Sequence, residues 1–90
     1  MGLSVLEASM TKTIYAPAYV CLVDQIRNRR QELNLRQEDL AGRLGVNRNW
    51  VSKVERRESR LDVLQYVEIC KALDIDPAST LRAFTEAVTQ

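Results

Sequence analysis

The chain contains no histidine. That removes the side chain most often used as a general base near neutral pH and the usual nitrogen ligand for zinc. It has two cysteines, Cys21 and Cys70, each inside an apolar stretch and far apart in sequence, and they read as reduced core residues rather than a disulfide or a metal site. There are three glycines and no phosphate loop among them, and no nucleophile stands in a recognisable pattern with a base. No run approaches the roughly 18 apolar residues that a membrane span needs. The opening stretch MGLSVLEAS has neither the basic nor the long apolar region of a signal peptide. No segment alternates with a period of two, and no internal repeat is visible. Catalysis, cofactor binding and metal binding therefore find no support, and an all-α domain is expected.

Ninety residues make one domain, in which most apolar positions should serve one shared core. Residues 1–17 show no clear period and read as an arm or leader. Met10 looks like a natural beginning, which would make residues 1–9 an extension. Pro17 suits the first turn of a helix, and from there Tyr19, Leu22, Val23, Ile26 and Leu33 share a face. Arg30 lies on that same apolar stripe, where a charge needs a partner. A second helix is expected over 37–44, with Leu40, Ala41 and Leu44 inward, and a third over 48–56. A fourth, over 62–73, should bury Leu64, Val67, Cys70 and Leu73. Asp76 and Pro77 then cap and open a fifth helix with an apolar edge of Leu81, Phe84 and Val88.

The net charge of +1 hides an asymmetry. Residues 24–60 carry ten Arg or Lys against six acids, whereas residues 61–90 carry two against five. A basic middle beside an acidic tail points to a polyanion partner for one surface only.

The stretch LAGRLGVNRNWVSKVERR, residues 40–57, breaks a helical rhythm at Gly45-Val46-Asn47 and restarts it at once. Gly45 fits a left-handed stop, and Asn47 is a good N-cap for the restart. Two helices this short are marginal alone and must be held by packing. A short glycine-containing turn between two such helices is the helix-turn-helix arrangement, in which the second helix enters the major groove of DNA. At about 100° per residue, Val51, Val54 and Glu55 point inward. Asn49, Lys53 and Arg56 lie opposite, with Ser52 beside them and Arg48 in the first turn. Those side chains suit base edges and phosphates. Glu55, on the inward stripe, is the expected partner of Arg30. Trp50, on the flank, is expected to pack against the edge of the core, the alternative being contact with a sugar or a thymine methyl.

These residues resemble those of the Cro/cI-like, or XRE, helix-turn-helix repressors. The likeness rests on Gln37-Glu38-x-Leu40-Ala41-x-x-Leu44-Gly45-Val46 followed by Val51-Ser52-x-x-Glu55. It is close over residues 33–77 and extends over 18–88. The resemblance implies a five-helix domain like that of lambda repressor, needing no cofactor, cytoplasmic, of bacterial or phage type. It implies a homodimer on a palindromic operator in double-stranded DNA, and transcriptional control, usually repression. It places Arg48, Asn49, Lys53 and Ser52 on base edges. It places Gln37, Asn47, Arg36, Arg43, Arg56 and Arg57 on or near phosphates, and Arg30 and Glu55 in an internal ion pair.

Two positions depart from the family pattern. Arg36 stands where a Thr or Ser N-cap is usual, and Arg57 where a glycine follows the third helix. On this reading residues 18–75 form the DNA-binding unit and residues 76–90 a helix for dimerisation through Leu81, Phe84 and Val88. The alternative is an antitoxin whose acidic C-terminal part grips a toxin while the same chain regulates its own operon.

Overall fold

A computed structural model of the protein describes residues 16–89, so most of the expected arm, residues 1–15, lies outside the described residues. Five helices follow in order: α1 Pro17–Glu32, α2 Gln37–Leu44, α3 Arg48–Glu55, α4 Val63–Ala72 and α5 Pro77–Thr89. No strand occurs among the described residues, so the domain is all-α.

The starts of these helices follow from local chemistry. Pro17 sits in the first turn of α1, where its missing N–H is no loss. Asn47 caps α3, its Oδ1 accepting from the Trp50 N–H at 2.9 Å. Asp62 and Gln65 cap α4 reciprocally, each side chain accepting from the other's backbone N–H at 2.7 and 3.0 Å. Asp76, just before Pro77, accepts from the Ala78 N–H and the Ser79 hydroxyl. Arg36 occupies the N-cap of α2 with no side-chain acceptor of its own; instead the Asp39 carboxylate takes the Arg36 N–H at 2.8 Å. That contact holds the Asp39 carboxyl below its usual range.

The ends of the first four helices share one device. Each closes on a residue in the left-handed region: Asn34, Gly45, Arg57 and Asp74, with φ of 57°, 71°, 60° and 56°. In each, the N–H of the following residue reaches back to the last turn, as Leu35 does to Arg30 O, Val46 to Ala41 O, Glu58 to Lys53 O and Ile75 to Cys70 O. This double closure satisfies carbonyls that the helix leaves open. At Arg57 the third helix therefore turns without glycine, at a backbone geometry that costs an L-residue roughly 1–2 kcal/mol. Arg57→Gly is expected to raise stability by about 0.5–1 kcal/mol, since glycine's own chain entropy offsets part of the gain. Urea denaturation would show this as a higher midpoint with an unchanged slope; a midpoint that stayed put or fell would mean the turn carries no such cost.

Two apolar clusters hold the helices together. The first joins Ile26 of α1, Leu40 and Ala41 of α2, Val51 of α3, and Ile69 and Leu73 at the end of α4, with Trp50 half-buried against it. The second joins Tyr19, Leu22 and Val23 of α1 to Tyr66 and Cys70 of α4, with Phe84 of α5 packed on it. Tyr66 also donates its hydroxyl to Pro77 O at 2.6 Å, tying α4 to the start of α5, and burial pushes its phenol up to about 12.

Two expectations about the core need correction. Leu64 is 67% exposed and Val63 79% exposed, while Tyr66, Ile69, Cys70 and Leu73 face inward. The inward stripe of α4 thus runs from Tyr66, and its first turn carries apolar side chains into solvent. Cys21 is exposed on α1, whereas Cys70 is buried, and both thiols are free.

Candidate nucleic-acid interface

The α2–turn–α3 unit is held from beneath by a buried polar knot. The Arg30 guanidinium meets the Glu55 carboxylate side-on, with Nε to Oε2 at 2.7 Å and Nη2 to Oε1 at 2.9 Å. Both residues are buried, at 8% and 6% exposure. Arg30 also donates Nη1 to Leu35 O at 2.7 Å, in the turn between α1 and α2. Gln37, at the start of α2, donates Nε2 to Glu55 Oε1 at 3.0 Å. Four segments therefore converge on one carboxylate–guanidinium pair: α1, the α1–α2 turn, the N-terminus of α2 and the C-terminus of α3. No buried side-chain polar atom is left without a partner among the described residues. The knot fixes where α3 lies relative to α2.

On the opposite face of α3, Arg48, Asn49 and Lys53 are exposed. Among the described residues, none of these three side chains is engaged in a hydrogen bond or ion pair. They stand on a helix whose first turn is fixed by the Asn47 cap. Such a face presents donors and acceptors to a groove without first breaking internal bonds.

Several other cations of the basic middle are already committed. Arg56 is bound side-on by Glu58, with Nε to Oε2 at 3.0 Å and Nη2 to Oε1 at 3.1 Å, and donates Nη1 to the Ser52 hydroxyl at 2.8 Å. Arg36 lies 3.4 Å from Asp39 and 3.9 Å from Glu38. Arg43, expected on phosphate, is exposed and donates Nη1 to Ala72 O at 2.8 Å. Arg29 donates Nε to Leu73 O at 3.0 Å. Two arginines from two helices thus meet the carbonyl end of α4, where positive charge is favoured. Arg57, half-buried, has no side-chain bond among the described residues. Gln37 faces Glu55 with one amide N–H, which leaves its second N–H and the open backbone N–H groups of the α2 first turn for an anion.

A family model described as a helix-turn-helix domain matches residues 22–83. The chain belongs to the XRE-type helix-turn-helix family. Five solved chains are similar to it. One is an XRE-family like protein from Pseudomonas syringae pv. tomato str. DC3000, 36% identical, with a TM-score of 0.76 over 91% of this chain and 99% of that one. No curated protein matches. Membership makes this XRE-type protein a DNA-binding regulator of transcription in general terms. No described helix is long and apolar enough to cross a membrane, and no cluster of metal-ligating side chains occurs among the described residues.

The XRE-type unit is flanked by a mostly apolar groove of about 350 Å³, bordered by Tyr19, Leu22, Leu61, Val63, Tyr66, Leu81 and Phe84, together with the charged Arg60 and Asp62. Of the three α5 residues expected to form an interface, Leu81 and Val88 are 51% and 61% exposed, whereas Phe84 is half-buried on the second cluster. Val63 at the start of α4 borders this groove, and Leu64, next in sequence, is exposed as well. Sequence reasoning missed these two because it turned the α4 stripe inward at Leu64. It also missed Glu58 as a partner of Arg56, because a pairing two residues apart has no helical signature.

Proposed function

We propose that the protein is a sequence-specific repressor that binds a palindromic operator as a homodimer, with α3 as the helix that reads the major groove. The observation that supports this best is the division of α3: one side locked by the Arg30–Glu55–Gln37 knot, the other exposing Arg48, Asn49 and Lys53, whose side chains hold no hydrogen bond or ion pair among the described residues. In this reading Arg48, Asn49 and Lys53 contact bases, with Ser52 at their edge. Gln37, Asn47, Arg56 and Arg57 lie towards the phosphates, as does Arg36 once it leaves its acidic neighbours. Arg43 belongs to the scaffold.

One recognition helix reads only a few base pairs, so two copies are needed for a long site, with half-sites about 34 Å apart. The self-complementary surface is assigned to the groove between Val63 and Leu81, with the exposed Leu64 and Val88 on the same two helices, since exposed apolar side chains brought together mark interaction sites. Selection of bound duplexes from a random pool, combined with sedimentation equilibrium, tests both parts. The expected outcome is an enriched inverted repeat, a wild-type dimer at micromolar concentration, and a folded but monomeric Leu81→Glu variant. A pool with no enriched motif would remove sequence-specific reading. A wild-type chain that stayed monomeric both free and on DNA would remove the dimer.

A further inference from the structure

Resting on the DNA-binding reading, we propose that Glu58 restrains Arg56, holding a phosphate-binding arginine off the DNA backbone and so lowering affinity for unrelated sequence. The geometry comes from the exit of α3. Arg57 in the left-handed region reverses the chain. The Glu58 N–H then bonds to Lys53 O at 2.8 Å, folding residue 58 back over the last turn. Its carboxylate lands on Arg56 and covers the Nε–Nη2 edge, the side-on edge that a phosphate or carboxylate occupies two atoms at a time. Ser52 takes a third donor through Nη1. The Glu58 carboxyl is held below its usual range first by its bond to Arg56 and also by the charge of Lys53. One acid therefore offsets two cations on the exposed side of α3.

Nothing in the scaffold requires this acid. Arg56 and Glu58 are both more than half exposed, and exposed pairs contribute little to stability. The core beneath is closed by Val54 and Glu55, which point the other way. What the acid does change is the potential at the rim of the reading helix. With Glu58 ionised and paired, the Arg56 contribution to phosphate attraction is cancelled locally. An approaching phosphate must displace a carboxylate and then tolerate it nearby. Non-specific binding is almost wholly electrostatic, whereas specific binding also draws on base contacts. An acid at this place therefore weakens binding to every sequence alike, and for unrelated DNA, held by this attraction almost alone, that is a large part of the binding there is.

The test compares wild type, Glu58→Gln, Arg56→Gln and the double variant by fluorescence anisotropy. The probes are the selected duplex and a scrambled duplex of the same length, titrated over a series of salt concentrations, with circular dichroism to confirm folding. Glu58→Gln is expected to tighten binding to the scrambled duplex by up to about fivefold, the weight of one exposed pair. Its log K against log salt should steepen by about one, the signature of one added phosphate contact. Both changes should be much smaller in the Arg56→Gln background, where Lys53 alone is left for the acid to offset. Unchanged affinity and slope, weaker binding by Glu58→Gln, or equal tightening with and without Arg56 would each overturn the restraint. If wild type bound neither duplex even at low salt, the DNA reading itself would fail, an outcome distinct from all of these.

Discussion

Glu55→Ala is expected to cost about 3–5 kcal/mol of stability, the range for stranding one partner of a buried ion pair. The loss would leave the Arg30 guanidinium buried, with Leu35 O as its one remaining partner. Arg30→Ala should be comparably severe, since Glu55 would keep only the Gln37 amide. For a domain whose total stability is of the order of 5–15 kcal/mol, either change, at about 3–5 kcal/mol, removes roughly a fifth or more of the margin. Replacing both, as Arg30→Met with Glu55→Leu, should cost less than either single change, because no charge is then left in the interior. Urea titrations of the four proteins would decide this through their midpoints and slopes. A loss of only a few tenths of a kcal/mol for Glu55→Ala would place that carboxylate in water and defeat the argument.

Arg48→Ala and Asn49→Ala are each expected to weaken binding to the preferred duplex by about 1–3 kcal/mol while relaxing preference at the base pair each one reads. Both side chains are exposed on the first turn of α3. That turn is the part of a recognition helix that reaches base edges. Their removal should leave folding intact, since neither packs in the core. Titration against a panel of single-base-substituted duplexes separates the two outcomes. Base readers lose discrimination at one position each. Phosphate contacts would instead weaken every duplex alike and lower the salt slope, and that pattern would move the reading role elsewhere on α3.

Helix starts and stops were the most legible part of the fold, because their chemistry is local. Pro17, Gly45 with Asn47, Asp62, and Asp76 with Pro77 each mark a boundary through their own backbone preferences. The five-helix order follows from them. The rotation of α4 was not legible. Its run Val63-Leu64-Gln65-Tyr66-Val67 is apolar on more than one face, so a periodicity of 3.6 fits two stripes. Tertiary contacts select between them: Tyr66 reaches Pro77 O, and Ile69 and Leu73 fill the first cluster. Cys21 failed for the same reason, standing in a short stretch where every neighbour is apolar.

Charge was harder still. In sequence an arginine looks the same whether it meets a phosphate, a carboxylate or a helix-end carbonyl. Arg43 and Arg29 proved to hold the end of α4, a partnership 29 and 44 positions away that no local pattern announces. The meeting of Arg30 with Glu55 was easier to foresee, because each stood alone on an otherwise apolar stripe.

The two helices of the DNA-reading unit have eight residues each. Helices of that length are not stable on their own in water; α2 and α3 exist only while α1 and α4 are in place around them. The unit therefore has no half-folded form that still binds. Occupancy of its DNA site and the folded fraction of the chain become one variable, so any agent that shifts the global unfolding equilibrium, whether temperature, a destabilising substitution or capture of the unfolded chain by a protease, acts on that occupancy directly.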